Sequence, residues 1–375
     1  MADNKDKKIV TEIKGAGLDA VSRTKPYITV LSVVACLAVV LIHTDCYNFW
    51  NFDDSNTWVV ANIVESLCYF AVPVFFMITG ANLIDYPQRY DNKTYATKRL
   101  LRTVVPLAIW LVIALLVNWL LDPHYYDDYT LSQLINFIFN PPRGGMTMAY
   151  WFFFYLFAIY LAIPLFAAVP DDKKQKVFGY LIVAGLALNF ALPLLCNLIE
   201  VDYNSAIALP ACGGYLVYPL IGYYLDHYTL NRKGKITIYV LGVVGLLTLI
   251  VGTHVLSFNA GYIDDVLRDY HNVPAALYGT AVFLAFQDLG RTKFGNFLFR
   301  CVKPLGECTL GVFLLHALII NLVYLYTPFL TISIFGQLLI GVLIFVCCLA
   351  VVKLVLQIPY VRIIFGKPTG TKTKK

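Results

Sequence analysis

The chain has 375 residues, of which 59% are apolar and 14% are charged, and its formal net charge is +6. Water-soluble domains carry about 45–50% apolar and about 25% charged residues, so this composition excludes a soluble enzyme, a disordered chain and a fibrous repeat. The mean hydropathy of +0.68 indicates a protein whose solvent is lipid. In such a protein the positions of the charges say more than their sum, and we expect no nucleic-acid partner.

A polar N-terminal segment precedes a series of apolar runs. Residues 1–26 carry several basic side chains and lack an apolar core, which predicts a cytosolic lead-in rather than a signal peptide. A membrane-spanning helix needs about 20 mostly apolar residues. Runs of this kind lie at 27–46, 58–84, 103–121, 150–169, 178–199, 207–226, 236–257, 273–289, 305–325 and 332–357. The sequence therefore predicts an all-α, polytopic membrane helix bundle of about ten transmembrane helices in residues 27–357, with a basic cytosolic tail at 358–375.

The basic residues fall into alternate loops. Of the 29 Lys and Arg residues, all but Arg143 and Arg268 lie in the lead-in, in every second loop, or from residue 353 onwards. Because positively charged segments stay on the cytoplasmic side of a membrane, we expect a multi-pass protein of the plasma membrane with both termini in the cytoplasm. The opposite loops are rich in Asp and Glu, which disfavours a strongly anionic substrate on that face.

The nine cysteines show no spacing typical of a metal site. Most lie inside apolar runs, as Cys36, Cys68 and Cys348 do, and none forms a Cys-x-x-Cys pair or a ligand motif with histidine. A buried cysteine behaves as a small apolar side chain. We therefore expect no metal cofactor.

Three ionisable residues lie inside predicted spans, where they are costly and tend to mark function. His43 is near the outer end of the first span, Glu65 is about two turns into the second, and His316 is in the middle of the ninth. Adjacent antiparallel spans bring His43 and Glu65 to similar depth, and an imidazole oriented by a carboxylate is a usual general base for a hydroxyl. The alternative is an interfacial histidine bonded to a carbonyl and an acid reaching towards water.

A basic cluster opens the third span, and an aromatic run opens the fourth. Arg99 and Arg102 share one helix face, with Lys98 beside them. Two guanidinium groups on one face suit a phosphorylated ligand, although ordinary anchoring at the cytoplasmic surface explains the same pattern. Trp151 lies in the run that opens the fourth span, which is also typical of an aromatic belt.

Together these segments resemble the acyltransferase-3 family of integral membrane acyltransferases. The matching pieces are 35–43, 72–80, the R-x-x-R of 99–102, 151–164 and 306–316, and the resemblance covers about residues 27–357. It implies ten spans and a cytosolic acyl-CoA donor, usually acetyl-CoA. It also implies transfer to a hydroxyl, or sometimes an amine, of an extracytoplasmic glycan or lipid-linked sugar. The candidate site residues are His43 and Glu65 for catalysis and Arg99, Arg102, Lys98, Trp151 and His316 for donor binding.

Two positions depart from the family pattern. Ser32 stands where the family often has an arginine, eleven residues before His43, and Thr29 stands where it usually has an acidic residue. A charge pair expected in the first span is therefore missing, which indicates a divergent branch. We expect Glu65 to compensate for it in part.

The resemblance leaves His43 as the general base that deprotonates the acceptor hydroxyl. No Ser or Cys has an adjacent base in the sequence, which favours direct transfer over a covalent acyl-enzyme. Two alternatives stay open at this stage: a proton-coupled transporter of a lipid-linked sugar or small molecule, and a sensor that binds acyl-CoA without turnover. The acceptor, the acyl chain and the oligomeric state are also open.

Overall fold

The computed structural model describes residues 25–53, 55–326 and 334–367. Residues 1–24 of the predicted lead-in and 368–375 of the predicted tail lie outside these ranges, so the domain boundaries stay predictions. Within the described ranges every regular element is a helix, which confirms the all-α membrane bundle. Orientation across the membrane remains a prediction from the charges.

The described part of the chain contains sixteen α-helices. They are α1 (Pro26–Trp50), α2 (Asn56–Cys68), α3 (Ala71–Leu83), α4 (Asn92–Arg99), α5 (Val105–Leu121), α6 (Leu131–Phe139), α7 (Trp151–Ala167), α8 (Asp171–Gly185), α9 (Leu192–Leu198), α10 (Val217–His227), α11 (Arg232–Leu247), α12 (Thr253–Ala260), α13 (Val273–Leu289), α14 (Lys293–Val302), α15 (Thr309–Tyr326) and α16 (Ile334–Val355). Short π-helical turns join α4 to α5, α8 to α9 and α11 to α12.

Eight helical stretches in the described residues are long and apolar enough to cross a membrane. They are Pro26–Asp45, Asn56–Gln88, Asn92–Leu121, Gly145–Ala167, Asp171–Leu198, Arg232–Ala260, Thr309–Tyr326 and Phe335–Val355. The predicted runs 207–226 and 273–289 instead contain shorter helices, α10 with 11 residues and α13 with 17. The predicted bundle of about ten spans thus includes eight helices of span length in the described residues.

The sequence before α10 explains why that helix is short. Residues 205–216 form three separate 3₁₀ turns, and Gly214 has φ +54°, a left-handed conformation that favours glycine. Helix α10 is held at both of its ends. Tyr218 near its start donates to the Tyr270 carbonyl just before α13, and Asp226 near its end binds Lys25 just before α1.

The two ends of the bundle differ in charge, and we name them accordingly. The basic end is formed by Lys25 and the connections 84–91, 168–170, 228–231, 290–292 and 356–367, and the acidic end by the connections 122–130, 199–216 and 261–272. Helix α1 runs between them at the centre and contacts α2, α3, α13, α14, α15 and α16. A residue on the inner face of α1 is therefore surrounded by helices that are distant in sequence.

Helices α3 and α10 touch through their backbones. A Cβ atom added at Gly80 would lie 1.9 Å from the Pro219 carbonyl oxygen, and one at Gly222 would lie 2.0 Å from that of Met77. In lipid, where burial of apolar surface contributes little to helix association, close packing of small residues holds helices together. The two glycines thus fix α3 against α10.

We expect Gly80→Ala to lower the melting temperature of the purified protein in detergent, because the Pro219 carbonyl occupies the space of the new methyl group. Overpacking costs about 1–3 kcal/mol, and a clash with backbone belongs at the upper end of that range. Thermal unfolding followed by size-exclusion chromatography measures the loss. Gly144→Ala is the matched control, since a Cβ atom there meets nothing within 4 Å. Equal stability of the two variants would contradict the tight contact.

Candidate active site

A small, partly open cavity of about 30 Å³ lies beside the inner face of α1. It is lined by Val39, Ile42, His43, Val72, Ala149, Trp151, Phe152, Tyr270 and Phe313. The cavity brings together His43 and Trp151, which the sequence selected from different spans. Most of its lining is apolar, and the imidazole of His43 is its basic group. A largely apolar cavity with a few polar groups is typical of a small-molecule site.

His43 forms a hydrogen-bonded pair with His316 of α15. The Nδ1 atom of His43 lies 3.0 Å from Nε2 of His316, and Nδ1 of His316 lies 3.1 Å from the carbonyl oxygen of Val312. The rings stack with centroids 5.1 Å apart, and His316 is fully buried. His316 thus lies directly behind His43.

These two contacts assign the tautomers. A carbonyl oxygen can only accept, so Nδ1 of His316 carries a proton and, in the neutral ring, its Nε2 is an acceptor. Nδ1 of His43 must then donate to it. The remaining nitrogen of His43, Nε2, keeps its lone pair and is the atom able to take a proton from a substrate.

Glu65 does not meet His43 as the sequence predicted. Its Oε2 atom accepts from Nη2 of Arg268 at 3.2 Å, while Nη1 of Arg268 donates to Ser66 at 2.8 Å and to Asn62 at 3.1 Å. The physical reason is that this face of α2 packs against the connection 261–272 rather than against the histidines. Sequence reasoning had noted Arg268 only as one of two basic residues in the acidic loops.

The predicted donor-binding arginines lie at the basic end. The guanidinium of Arg99 lies 5.9 Å from the ring centre of Tyr95 and 5.6 Å from that of Tyr160, and Lys98 Nζ lies 3.9 Å from the ring centre of Tyr90. Arg102 lies on the exposed surface nearby. The Nε atom of Arg99 is buried and donates to no acceptor among the described residues, so an anionic ligand could accept from it.

Donor-side and cavity residues are well separated. Pro26 opens α1 at the basic end, and at 1.5 Å per residue His43 lies roughly 25 Å further along the helix. The structure therefore places His316 and Trp151, which the sequence grouped with donor binding, with His43 and not with Arg99 and Arg102.

Aromatic and ionised side chains lie beside the cavity at the acidic end. Trp151 and Tyr270 stack with ring centres 5.9 Å apart, and the guanidinium of Arg143 lies 5.6 Å from the Trp151 ring centre. Burial alone would raise the pKa of Asp269, but hydrogen bonds from the amide and ring of His271 outweigh burial and hold that pKa below its ordinary value. Asp269 therefore keeps its negative charge at neutral pH.

A comparison with known families places nearly the whole chain in one of them. Residues 25–353 match the family model described as an acyltransferase domain, that of acyltransferase-3. No curated protein and no solved structure gave a match. The matched range covers nearly the whole chain and includes the paired histidines His43 and His316 and the two arginines of the basic end. The chain therefore belongs to the acyltransferase-3 family and is a membrane acyltransferase.

Proposed function

We propose that the protein moves an acyl group, usually acetyl, from cytosolic acyl-CoA to a hydroxyl of a glycan or lipid-linked sugar on the other side of the plasma membrane. The observation that carries the proposal is the His43–His316 pair, which leaves Nε2 unprotonated on His43, a residue of the cavity lining. A base that must deprotonate a hydroxyl near neutral pH needs this arrangement. Both termini would then lie in the cytoplasm.

On the donor side, the phosphates of acyl-CoA would bind Arg99 and Arg102, with Lys98 beside them. Guanidinium groups form charge-assisted hydrogen bonds to phosphate, and Arg99 offers a donor without a described acceptor. The pantetheine arm would then extend along the bundle and place the thioester carbonyl beside His43. Arg99 contacts Tyr160, which lies nine residues, roughly 14 Å, along α7 from Trp151 of the cavity lining, and this sets the reach that the arm requires.

The chemical step uses one base and no covalent intermediate. Nε2 of His43 takes the proton of the acceptor hydroxyl, whose oxygen attacks the thioester carbonyl carbon. The carbon–sulfur bond breaks, and the proton held by His43 returns to the leaving thiolate, which gives free CoA and an ester. His316 accepts the Nδ1–H of His43 throughout and shares the positive charge that develops.

The cavity also favours a neutral acceptor. Trp151 and Tyr270 of its lining offer flat aromatic faces to an uncharged sugar ring. Ionised Asp269 at the acidic end disfavours a strongly anionic acceptor.

Turnover of radiolabelled acetyl-CoA by the purified protein in lipid nanodiscs tests the proposal. We expect release of CoA and recovery of the label in ester, which rises when a membrane extract supplies acceptor. A transporter would leave the thioester intact, and a sensor would bind acetyl-CoA without turnover. Either result would overturn the proposed function.

We expect Arg99→Ala and Arg102→Ala to raise the KM for acetyl-CoA about tenfold to a hundredfold, because each removes a charged donor to phosphate. The kcat should change less, since the base lies at the other end of α1. Steady-state kinetics over a range of acetyl-CoA concentrations measure the effect. Arg291→Ala is the matched control: its side chain is exposed at the same end and pairs with Asp288 one turn away. Equal KM values in all three variants would exclude this donor site.

A further inference from the structure

The connection 261–272 is irregular backbone held against the helix bundle. The Tyr69 hydroxyl donates to the carbonyl of Arg268, and the Asn272 side chain donates to the carbonyl of Val266 at 2.5 Å. The Asp264 amide donates to Ser257 Oγ at 3.0 Å. Tyr270 of this connection lines the cavity.

One side chain of the connection points inward. Arg268 is 7% exposed, lies 4.2 Å from the ring centre of Phe49, and binds Glu65, Ser66 and Asn62 on a single helix, α2. A buried arginine satisfied by a carboxylate and two neutral acceptors has one favourable position. Removal of one partner of such a pair leaves an uncompensated buried charge.

Tyr270 follows Arg268 by two residues, so the position of Arg268 also fixes the position of Tyr270. Its ring stacks on Tyr69 with centres 4.2 Å apart and planes 12° apart, and its carbonyl accepts from Tyr218 at 2.5 Å. Tyr69 also donates to the Arg268 carbonyl, so the ring that supports Tyr270 holds the arginine backbone as well. Arg268 and Tyr270 therefore move as a unit.

We propose that Arg268 is a positioning residue: its buried pair with Glu65 fixes the connection 261–272, so that Tyr270 forms the cavity wall that separates His43 from water. Glu65 then acts through Arg268 and does not contact the reacting atoms. The part of this inference that concerns catalysis rests on the proposed function. If water were free to enter, it would compete with the acceptor hydroxyl for the thioester, and exclusion of water prevents that side reaction.

The wall can be tested without any substrate. In a His43→Cys background, the rate at which a charged, water-soluble methanethiosulfonate reagent labels position 43 is followed by peptide mass spectrometry. We expect Tyr270→Ala to speed labelling about tenfold and Glu65→Gln to speed it severalfold, because both open the wall locally. Tyr270→Phe keeps the ring and should stay within about twofold of the parent.

A second buried ion pair supplies the matched control. Asp85 pairs with Lys174 and His227 at the basic end, so Asp85→Asn also breaks a charged network but does so far from the cavity. We expect no change in labelling at position 43, even if its melting temperature falls as far as that of Glu65→Gln. Equal labelling rates in Tyr270→Ala and the parent, or acceleration by Asp85→Asn as large as that by Glu65→Gln, would overturn the inference.

Acetyl-CoA hydrolysis without acceptor separates this inference from the proposed function. With His43 intact, Glu65→Gln and Tyr270→Ala should raise the ratio of hydrolysis to acyl transfer several times over the unmodified protein. If the unmodified protein consumes no acetyl-CoA, the proposed function is wrong. The labelling experiment still tests whether Tyr270 keeps water away from position 43.

Discussion

Replacement of His43 by alanine is expected to reduce acyl transfer from acetyl-CoA by about 10²–10⁴-fold, the usual contribution of a positioned base. The reason is geometric: Nε2 of His43 is the nitrogen left unprotonated by the pair with His316, and His43 lines the cavity. Binding of acetyl-CoA should persist, since Arg99 and Arg102 lie at the basic end and are not part of the cavity lining. The loss should therefore appear in kcat and not in KM.

Radiometric transfer assays in nanodiscs, with protein amount and melting temperature matched, measure this loss. His124→Ala is the control, because His124 is an exposed histidine of the acidic end that pairs with Asp127. Its activity should equal that of the unmodified protein. Retention of more than a tenth of the activity by His43→Ala would show that another group removes the proton.

Replacement of His316 is the second change with a large expected effect. Whether it alters kcat or the KM for acetyl-CoA distinguishes a partner of His43 from a donor-binding residue. Without the acceptor Nε2 of His316, the Nδ1–H of His43 loses its partner and the other tautomer, with a protonated Nε2, becomes accessible. We expect His316→Ala to lower kcat about tenfold to a hundredfold and to leave the KM for acetyl-CoA within about twofold.

The conservative variant His316→Gln keeps an acceptor oxygen for Nδ1 of His43 and should recover part of the lost kcat. A structural defect alone would give no such recovery. If His316→Ala instead raises the KM for acetyl-CoA at constant kcat, His316 belongs to the donor site, as the sequence grouping held. Steady-state kinetics of the two variants decide between these outcomes.

The sequence was sufficient for the kind of fold and for the individual polar residues. Apolar runs with alternate basic loops predicted the helical membrane bundle, and the cost of ionisable groups in lipid singled out His43, Glu65 and His316. The length of α10 could not be read in the same way, because the run 207–226 is apolar throughout while its glycines and prolines favour turns.

The partners of these residues were beyond the sequence. His43 and His316 are 273 positions apart, and Glu65 and Arg268 are 203 apart. Hydropathy assigns a depth to each residue but no direction around the helix axis, so two residues at equal depth were assumed to meet. No sequence pattern identified Tyr270 as a residue of the site. It lies in a polar connection, and the side chain of Arg268 sets the path of that connection.

The contact between α3 and α10 limits how the cavity can change its size. At Gly80 and Gly222, a backbone carbonyl of the other helix occupies the space that a Cβ atom would need. The two helices therefore cannot slide past each other and behave as one rigid pair. Val72 of α3 belongs to this rigid pair and lines the cavity. Tyr218 of α10 also belongs to it, and its hydroxyl donates to the Tyr270 carbonyl. A bulky acceptor must therefore be accommodated by movement of the segments that contain Trp151 and Tyr270. Helices α3 and α10 stay fixed while those segments move.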